Sequence, residues 1–553
     1  MRRILIYMAV LLGCMTGCIS TDIPYPVVVP HITTLSADNA EKVDIDFDNQ
    51  VVTIYVPEHV DLMNIVIREV GFDHDMVKPS IQLTGMHDIT SPIKFMLTTY
   101  TDYEWTIVAV REVERYFTVN GQIGSSIIDP VNRRVIAMVG KNALLGYIQV
   151  TSLKLGPEGM TEYSIDPSQM TDFTNGISVD VTMFDVTETW NLYVEVTDIS
   201  VELKNVNAWA HDAYVTMIGV TGAEHGFQYR VKGTEDWIDV HESDIEVDGG
   251  TYVAHIDNLL QGTEDEVPAF CGADKTGIKE FVTEIASVLP NGSFEYASKI
   301  VGKDYYKFYD PSCGVAEGMT MFWGSGNGEG LEGVNGSANM GIVITYIDKD
   351  DKVDGLQSVR AQTSQMAGIL AAGNLFTGQF AGLVGTSGGK VNFGRPWTSR
   401  PKALKLYCKY LTDKIDIIKG MPTGVSLTKN DYDRADIKVA LGTWSYRTYG
   451  GTQDSPVHVN TTDSKTFVDY NTDASTIAYG NLVIHHDGYI LNGSDKMSGD
   501  TGEWTEYTIP LEYHDMTTKP THIIISCAAS QYGDYFTGYS NSKLWIDAVE
   551  LIY

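Results

Sequence analysis

The sequence predicts an all-β chain, with tandem β-sandwiches followed by one larger sandwich. Three observations carry that reading. Short runs that alternate apolar and polar residues, each cut off by Gly, Pro, Asn or Asp, fill the first half of the chain, and a period of two marks strands with one buried face. A weak internal repeat lies before residue 200. The remainder is rich in Gly, Tyr and Trp and poor in runs of helical period, so it is β as well.

The repeat aligns residues 46–56 with 128–139, His87-Asp-Ile-Thr-Ser-Pro92 with Thr171-Asp-Phe-Thr-Asn-Gly176, and residues 104–110 with 189–196. Trp105 and Trp190 therefore take equivalent places. The unit resembles the paired bacterial Ig-like domains that follow a lipid anchor, which implies two spacers at 19–113 and 114–198. From residue 199 the alternating runs 214–219, 227–232 and 251–256 resemble a fibronectin type III domain, placed at 199–286. Leu259-Leu-Gln-Gly-Thr263 stands where that family has its Leu-x-Pro-Gly-Thr turn, but the tyrosine expected two residues later is Asp265. Trp237 reads as a core tryptophan. Residues 287–553 form the last and largest domain.

The N-terminus reads as a lipoprotein signal at 1–18. Arg2 and Arg3 precede an apolar run at 4–12 that is too short to span a bilayer. Met15-Thr-Gly-Cys18 then resembles a lipobox with Cys18 as the acylated residue. Leu11-Leu-Gly-Cys14 fits the same pattern, and Cys18 is preferred because it leaves the longer apolar region. The expectation is an outer membrane lipoprotein held by acyl chains alone, at the cell surface or the periplasmic face. Only one acid, Asp22, follows the cysteine, so the membrane side stays open.

With 72 acidic against 39 basic residues and a net charge of −33, the chain repels phosphate backbones and anionic headgroups, so nucleic acid is not an expected partner. Cys271, Cys313, Cys408 and Cys527 have no metal-like spacing and sit in strand-like runs, where they act as small apolar groups.

Several motifs fail on their context. Gly385-Thr-Ser-Gly-Gly389 matches a nucleophile elbow, but an extended, proline-broken segment follows Ser387 where a helix is required. The same stretch has Val391 where a P-loop needs Ser or Thr. Gly324-Ser-Gly-Asn-Gly-Glu-Gly330 has no βαβ unit around it. Asp348-Lys-Asp-Asp-Lys-Val-Asp-Gly355 puts Lys352 at a calcium-ligand position and reads as a charged hairpin turn. His485 and His486 are adjacent on a strand and point to opposite faces, so the pair reads as a polar strand end.

Asn291-Gly-Ser-Phe-Glu295 and Leu544-Trp-Ile-Asp-Ala-Val-Glu-Leu551 resemble the opening and closing strands of jelly-roll carbohydrate-binding modules. Between them, Val391-Asn-Phe-Gly-Arg-Pro-Trp-Thr-Ser-Arg-Pro401 and Tyr532-Gly-Asp-Tyr-Phe-Thr-Gly538 are similar to the family described as the putative carbohydrate metabolism domain, found on lipoproteins of Bacteroides-type bacteria. The resemblance implies a jelly-roll β-sandwich tied to glycans, with an oligo- or polysaccharide as partner. From carbohydrate-binding modules it also implies one structural Ca²⁺ shared by Glu295 and Asp547. The alternative is that both acids are solvated at a sheet edge.

Sugar binding needs aromatic faces for the C–H side of a pyranose and planar polar groups for its hydroxyls. The last domain offers Trp323, Trp397, Trp444, Tyr446, Tyr449 and Trp504. Trp323 and Trp444 adjoin glycine-rich or polar segments and are expected to form an exposed platform, with Tyr446 beside it. Arg395, Trp397 and Arg400 either grip a ligand or form a structural cation–π cluster, and the structural role is favoured. Trp504 and Trp545 read as core. The leading function is a non-catalytic, glycan-binding lipoprotein. A glycoside hydrolase is the alternative, but its acids, among them Glu317, Glu329, Glu332, Asp454 and Asp534, are unranked by sequence. A structural adhesin with envelope protein partners is the third reading.

Overall fold

The computed structural model describes residues 28–47, 49–300, 305–308, 321–328, 335–366, 368–422 and 424–553. Cys14, Cys18, Cys313, Glu317, Glu329 and Glu332 lie outside them. The described chain is almost entirely β, and its helices are single turns of three or four residues such as Tyr446–Tyr449. No described helix is long and apolar enough to cross a membrane.

The first two sandwiches repeat each other down to single hydrogen bonds. Val51–Val56 runs parallel to Asp102–Arg111, and Arg134–Gly140 parallel to Val186–Thr197. Each pair enters through the same turn. Asp46 accepts from the backbone N–H of Asn49 at 2.9 Å and Asp129 from that of Asn132 at 3.0 Å, and Gln50 and Arg133 follow with φ of 58° and 52°. A short Asp or Asn side chain closes such a turn more cheaply than the backbone alone. The second shared turn is Asp88 with Thr90 and Asp172 with Thr174, where both the N–H and the hydroxyl donate to the carboxylate. Trp105 and Trp190 are buried at the centres of the two cores.

In the third sandwich Glu202–Ala208, Ala213–Ile218, Thr251–Ile256 and Ile245–Asp248 form one sheet, and His225–Val231, Glu264–Val267, Ala269–Cys271 and Lys279–Val282 belong to the facing one. Phe227, Tyr252, Val215 and Met217 fill the space between. Trp237 is not in this core. It is half-buried outside it, with the Arg230 guanidinium 4.1 Å from its ring centroid. An indole at the edge keeps its stacking partner without having to find a buried acceptor for its N–H.

The last domain packs a five-stranded sheet (Thr345–Asp348, Ser358–Gln362, Lys543–Ile552, Ala403–Leu411, Thr505–Pro510) against a larger one. The larger sheet runs in the order Val457–Asn460, Gly389–Phe393, Asn374–Leu383, His522–Ala528, Ala435–Gly442, Thr476–His485 and Gly488–Leu491. Leu375, Ile437, Val439, Ile525, Leu406 and Ile546 meet between the sheets, together with Cys408 and Cys527. Burial pushes both thiols far above the ordinary range, so they are inert apolar groups. The opening motif is a turn and not a strand. Asn291 and Phe294 have φ of 50° and 57°, and the Val549 N–H donates to the Gly292 carbonyl at 2.9 Å. A Cβ on Gly292 would stand 2.1 Å from the Val549 carbonyl oxygen, which explains the glycine in this motif.

Arg400 locks this domain onto the one before it. Its guanidinium donates to Glu284, Asn207, the Ala208 carbonyl and the Met516 carbonyl, and lies 4.7 Å from the Trp209 ring centroid. Lys402 pairs with Asp212 at 2.6 Å and Lys519 with Glu284 at 3.2 Å around the same joint. Removing one partner of a buried pair strands the other, at a cost of about 3 kcal/mol or more.

Asp265 is 1% exposed, neither carboxylate oxygen has a hydrogen-bond partner, and burial pushes its pKa up to about 6. A raised folded-state value means that the stability tied to this proton is present below the ordinary carboxylate pKa and is lost as pH rises through about 6. Asp265→Asn should therefore raise thermal stability at pH 7.5 by about 1–2 kcal/mol after allowance for solvent screening. The gain should vanish near pH 4, measured by melting at both pH values.

Candidate functional site

The face of the large sheet turned away from the core carries a charged row that the sequence disguises as an ordinary strand. In Ala435–Gly442, Ile437, Val439 and Leu441 point into the core, so Asp436, Lys438 and Ala440 point outward. Register sets Lys438 between Asn481 and Ser526, and Ala440 between Tyr479 and Ile524. Asp436 is 6% exposed and fully engaged: one oxygen lies 3.0 Å from Lys438 Nζ, and the other accepts from Asn481 Nδ2 at 2.6 Å. The pair holds the Lys438 ammonium well above the usual lysine range, with Asp436 as the first cause. The Lys438 side chain still keeps 42% of its surface exposed.

A loop, residues 529–542, arches over this row. Its anchor is the buried Asp433, which accepts from Ser530 Oγ at 2.6 Å, Ser542 Oγ at 2.8 Å and the Tyr539 N–H at 2.8 Å. Burial pushes that carboxyl up to about 6 while these donors pull it down. The loop presents Tyr532, Asp534, Tyr535 and Phe536. A Cβ on Gly533 would stand 2.2 Å from the Ala372 Cβ, and one on Gly538 would stand 2.8 Å from Ser530 Oγ, so both glycines of the Tyr532–Gly538 motif are required by close packing. Tyr535 meets Phe467 edge to face at 5.5 Å, joining the arch to a second loop that carries Tyr470.

Asp534 touches solvent, yet burial raises its pKa, Lys438 draws it back down and Asp436 adds repulsion. Asp534 is exposed and lines the rim of the apolar cavity next to it. Burial likewise raises the hydroxyls of Tyr470, Tyr479 and Tyr532, Tyr479 to about 12, and the Lys438 charge opposes each shift. Tyr479 is half-buried in the strand beside this row, Tyr532 lies over the Arg434 guanidinium, and Tyr470 is buried with Trp444 in an apolar cluster. Past Asp534 the groove opens into an apolar cavity of about 240 Å³ lined by Met340, Ile342, Leu370, Phe380, Leu383 and Phe536.

The aromatic platform expected from sequence is elsewhere and closed. Trp323 is 1% exposed, donates from Nε1 to the Pro290 carbonyl at 2.8 Å and packs on Phe294. Trp444 is 2% exposed, donates to Asp473 at 3.1 Å and packs on Tyr470. A buried indole with a satisfied N–H stabilises a sandwich more than an exposed one does, and both are corrected to core residues. Tyr446 is exposed on its single turn, outside the cavity lining, while the Tyr449 hydroxyl donates to Asp473. Arg395 is buried and donates to the carbonyls of Phe322 and Gly378 and to Ser455 Oγ. Trp397 packs in the core against Phe322. With Arg400 committed to the domain joint, none of the three is free to hold a ligand. Trp504 is half-buried and Trp545 buried, and their N–H groups donate to Asp351 and Asp348.

Ser387 sits on an exposed hairpin turn between paired strands, with no helix after it. Of the acids, Asp534 is in the groove, and Asp454 lies on an exposed turn. The sequence signal for the groove was present in Ala435-Asp-Ile-Lys-Val-Ala-Leu441, two opposite charges at alternate positions of an apolar strand.

Glu295 and Asp547 meet the same loop, though not as cation ligands. Asp547 accepts from the N–H groups of Val353 at 2.8 Å, Asp354 at 3.1 Å and Ala548 at 2.8 Å, and Glu295 accepts from that of Leu356 at 2.9 Å. Calcium needs a shell of oxygens, whereas this loop turns its donors toward the carboxylates and itself supplies the compensating partial positive charge. Among the described residues no group of three or more His, Cys, Asp or Glu could hold a metal ion. The residues do not fit Ca²⁺. Melting should be unchanged by millimolar calcium or chelator, whereas Asp547→Ala, which strands three N–H groups, should cost about 2–4 kcal/mol. A melting temperature that climbs with free calcium would contradict this geometry.

Three solved structures illustrate what the chain is similar to. A putative glycoside hydrolase from Bacteroides thetaiotaomicron VPI-5482 aligns over 96% of this chain and 98% of its own at 15% identity, with a TM-score of 0.32. One from Bacteroides vulgatus ATCC 8482 covers 48% of this chain and 98% of its own at 21% identity, with a TM-score of 0.31. A carbohydrate-binding module specific for non-crystalline cellulose covers 47% and 97% at 10% identity, with a TM-score of 0.19. No curated protein matches the chain. The family model described as "Putative carbohydrate metabolism domain" matches residues 293–552, the stretch that holds both sheets of the last sandwich and the charged row on its outer face.

Proposed function

We propose that the last domain binds a glycan in the groove over Lys438, and that the chain is a membrane-anchored lipoprotein in which the three preceding sandwiches act as spacers. One observation carries the reading: Asp436, Lys438 and Asn481 form a bonded polar row on the outer face of the large sheet, with the half-buried Tyr479 and Tyr532 beside it and Asp534 at the rim of the apolar cavity. Tyrosine rings supply faces for pyranose C–H groups, and the carboxylates, amide and ammonium supply acceptors and donors for hydroxyls. The neighbouring apolar cavity offers room for a further sugar ring or an acyl substituent. The match of residues 293–552 to a carbohydrate-related family model supports the same ligand class.

Calorimetric titration of the full chain against a glycan panel tests the reading. Tyr532→Ala or Tyr479→Ala should weaken binding by about 1–2 kcal/mol, roughly 5- to 30-fold. Tyr446→Ala, outside the groove, should leave it unchanged. Bound glycan should remain uncut. Release of reducing ends, abolished by Asp534→Asn or Asp436→Asn, would replace this reading by the hydrolase. Failure to bind any glycan, with capture of an envelope protein instead, would replace it by the adhesin.

The anchor rests on the Met15-Thr-Gly-Cys18 motif behind an apolar run. Metabolic labelling with a fatty-acid analogue should mark the full-length chain and be lost in Cys18→Ala. Label retained in that variant and lost in Cys14→Ala would move the acylation site.

A further inference from the structure

The Arg434 end of the groove has a chemistry of its own. Arg434 stands two positions before Asp436 and shares its outward parity. Lys438 is neutralised by Asp436, but Arg434 forms no ion pair with any carboxylate among the described residues, and its guanidinium lies 5.7 Å from the Tyr532 ring centroid. Nearby Asp431 feels the Arg434 charge without forming an ion pair with it, and one of its oxygens accepts from the Thr428 N–H at 2.7 Å and hydroxyl at 2.8 Å. In a chain with 72 acids to 39 bases, an arginine left without an acid is informative.

Two further polar groups at this end lack partners. His485 Nε2 and Gln531 Oε1 are buried atoms with no hydrogen bond. Gln531 is tied to Arg434 by a backbone bond of 2.8 Å, and His485 is close enough for the Arg434 charge to help burial hold its imidazole at about 4, hence neutral at pH 7. Buried polar atoms normally find partners. His485 Nε2 and Gln531 Oε1 do not, and with the half-buried Arg434 guanidinium they make a set complementary to one anionic oxygen pair flanked by a hydroxyl.

We propose that the Arg434 end of the groove, with His485 and Gln531, is a subsite for the acidic group of a charged sugar, a uronate carboxylate or a sulfate ester. The proposal rests on the glycan-binding reading of the same groove and adds the ligand class. The guanidinium takes the anion through paired N–H bonds, stacked on Tyr532 and thereby held in place. The protein's net negative charge does not forbid this, because charges beyond about 8 Å are screened at physiological salt while the local cation is not.

The test is a glycan array carrying neutral, uronate-containing and sulfated oligosaccharides, probed with the full chain and with R434Q and R434K, each checked for an unchanged melting temperature. Acidic glycans should dominate the bound set, lose at least tenfold in affinity in R434Q, lose less in R434K and weaken with added salt. Selective retention of uronates or of sulfated sugars identifies which anion the subsite takes. Neutral glycans as the strongest ligands, or acidic ones bound equally by R434Q, would overturn the subsite while leaving the glycan reading intact. Absence of binding to every class would overturn both. If R434Q fails to fold, R434K decides the matter: affinity for acidic glycans equal to that for their neutral counterparts sinks the proposal.

Discussion

The groove depends on a buried carboxylate that no ligand would touch. Asp433 gathers two serine hydroxyls and a backbone N–H from residues about a hundred positions later in the chain, and this pins both ends of the arch that carries Tyr532 and Asp534. A loop this long would otherwise lose the conformational entropy of many residues for a few surface contacts. Because a carboxylate deprived of donors in that environment is costly, the arch and the strand start at Asp433 form one cooperative unit. The same strand then delivers Arg434, Asp436 and Lys438 beneath the arch. Floor and roof are thus registered to each other by one residue.

A second feature is how little of the aromatic content serves as surface. Trp105, Trp190, Trp323 and Trp444 are all buried, and the last domain exposes tyrosines where a tryptophan platform was expected. Tyrosine tolerates a half-buried wall because its hydroxyl can stay wet while its ring packs. A wall of that kind presents both a stacking face and a hydrogen-bonding rim.

The repeat of Ig-like sandwiches was legible because its signals are local: an Asp four residues before a left-handed position, and a tryptophan in a fixed place on an alternating strand. Cysteines in apolar runs were legible for the same reason. The groove was not, since it is assembled from residues around 436, 481 and 534 that only sheet register brings together. Trp323 and Trp444 were misplaced because neighbouring glycines and polar residues suggest exposure, whereas here those residues form turns that let the indoles reach buried acceptors. In the Arg395–Arg400 segment both arginines are structural, but the cation–π cluster expected on Trp397 does not form: Arg395 bonds to carbonyls and Ser455, and Arg400 reaches into the preceding domain and lies over Trp209. Glu295 and Asp547 each reach the same loop, some sixty residues after Glu295, and accept from its backbone N–H groups, which sequence motifs at the two ends of the domain do not reveal.

The Arg400 joint has a mechanical consequence. If the chain is anchored at one end and bound to a glycan at the other, as proposed, tension runs through every link between its domains. Between the third and fourth sandwiches that tension is shared by the covalent connection and by a guanidinium bonded to four acceptors on facing sides of the seam. Bonds loaded side by side break together and resist far more force than bonds that open one after another. The last two sandwiches would then move as one lever under drag, and yielding would begin at one of the earlier seams.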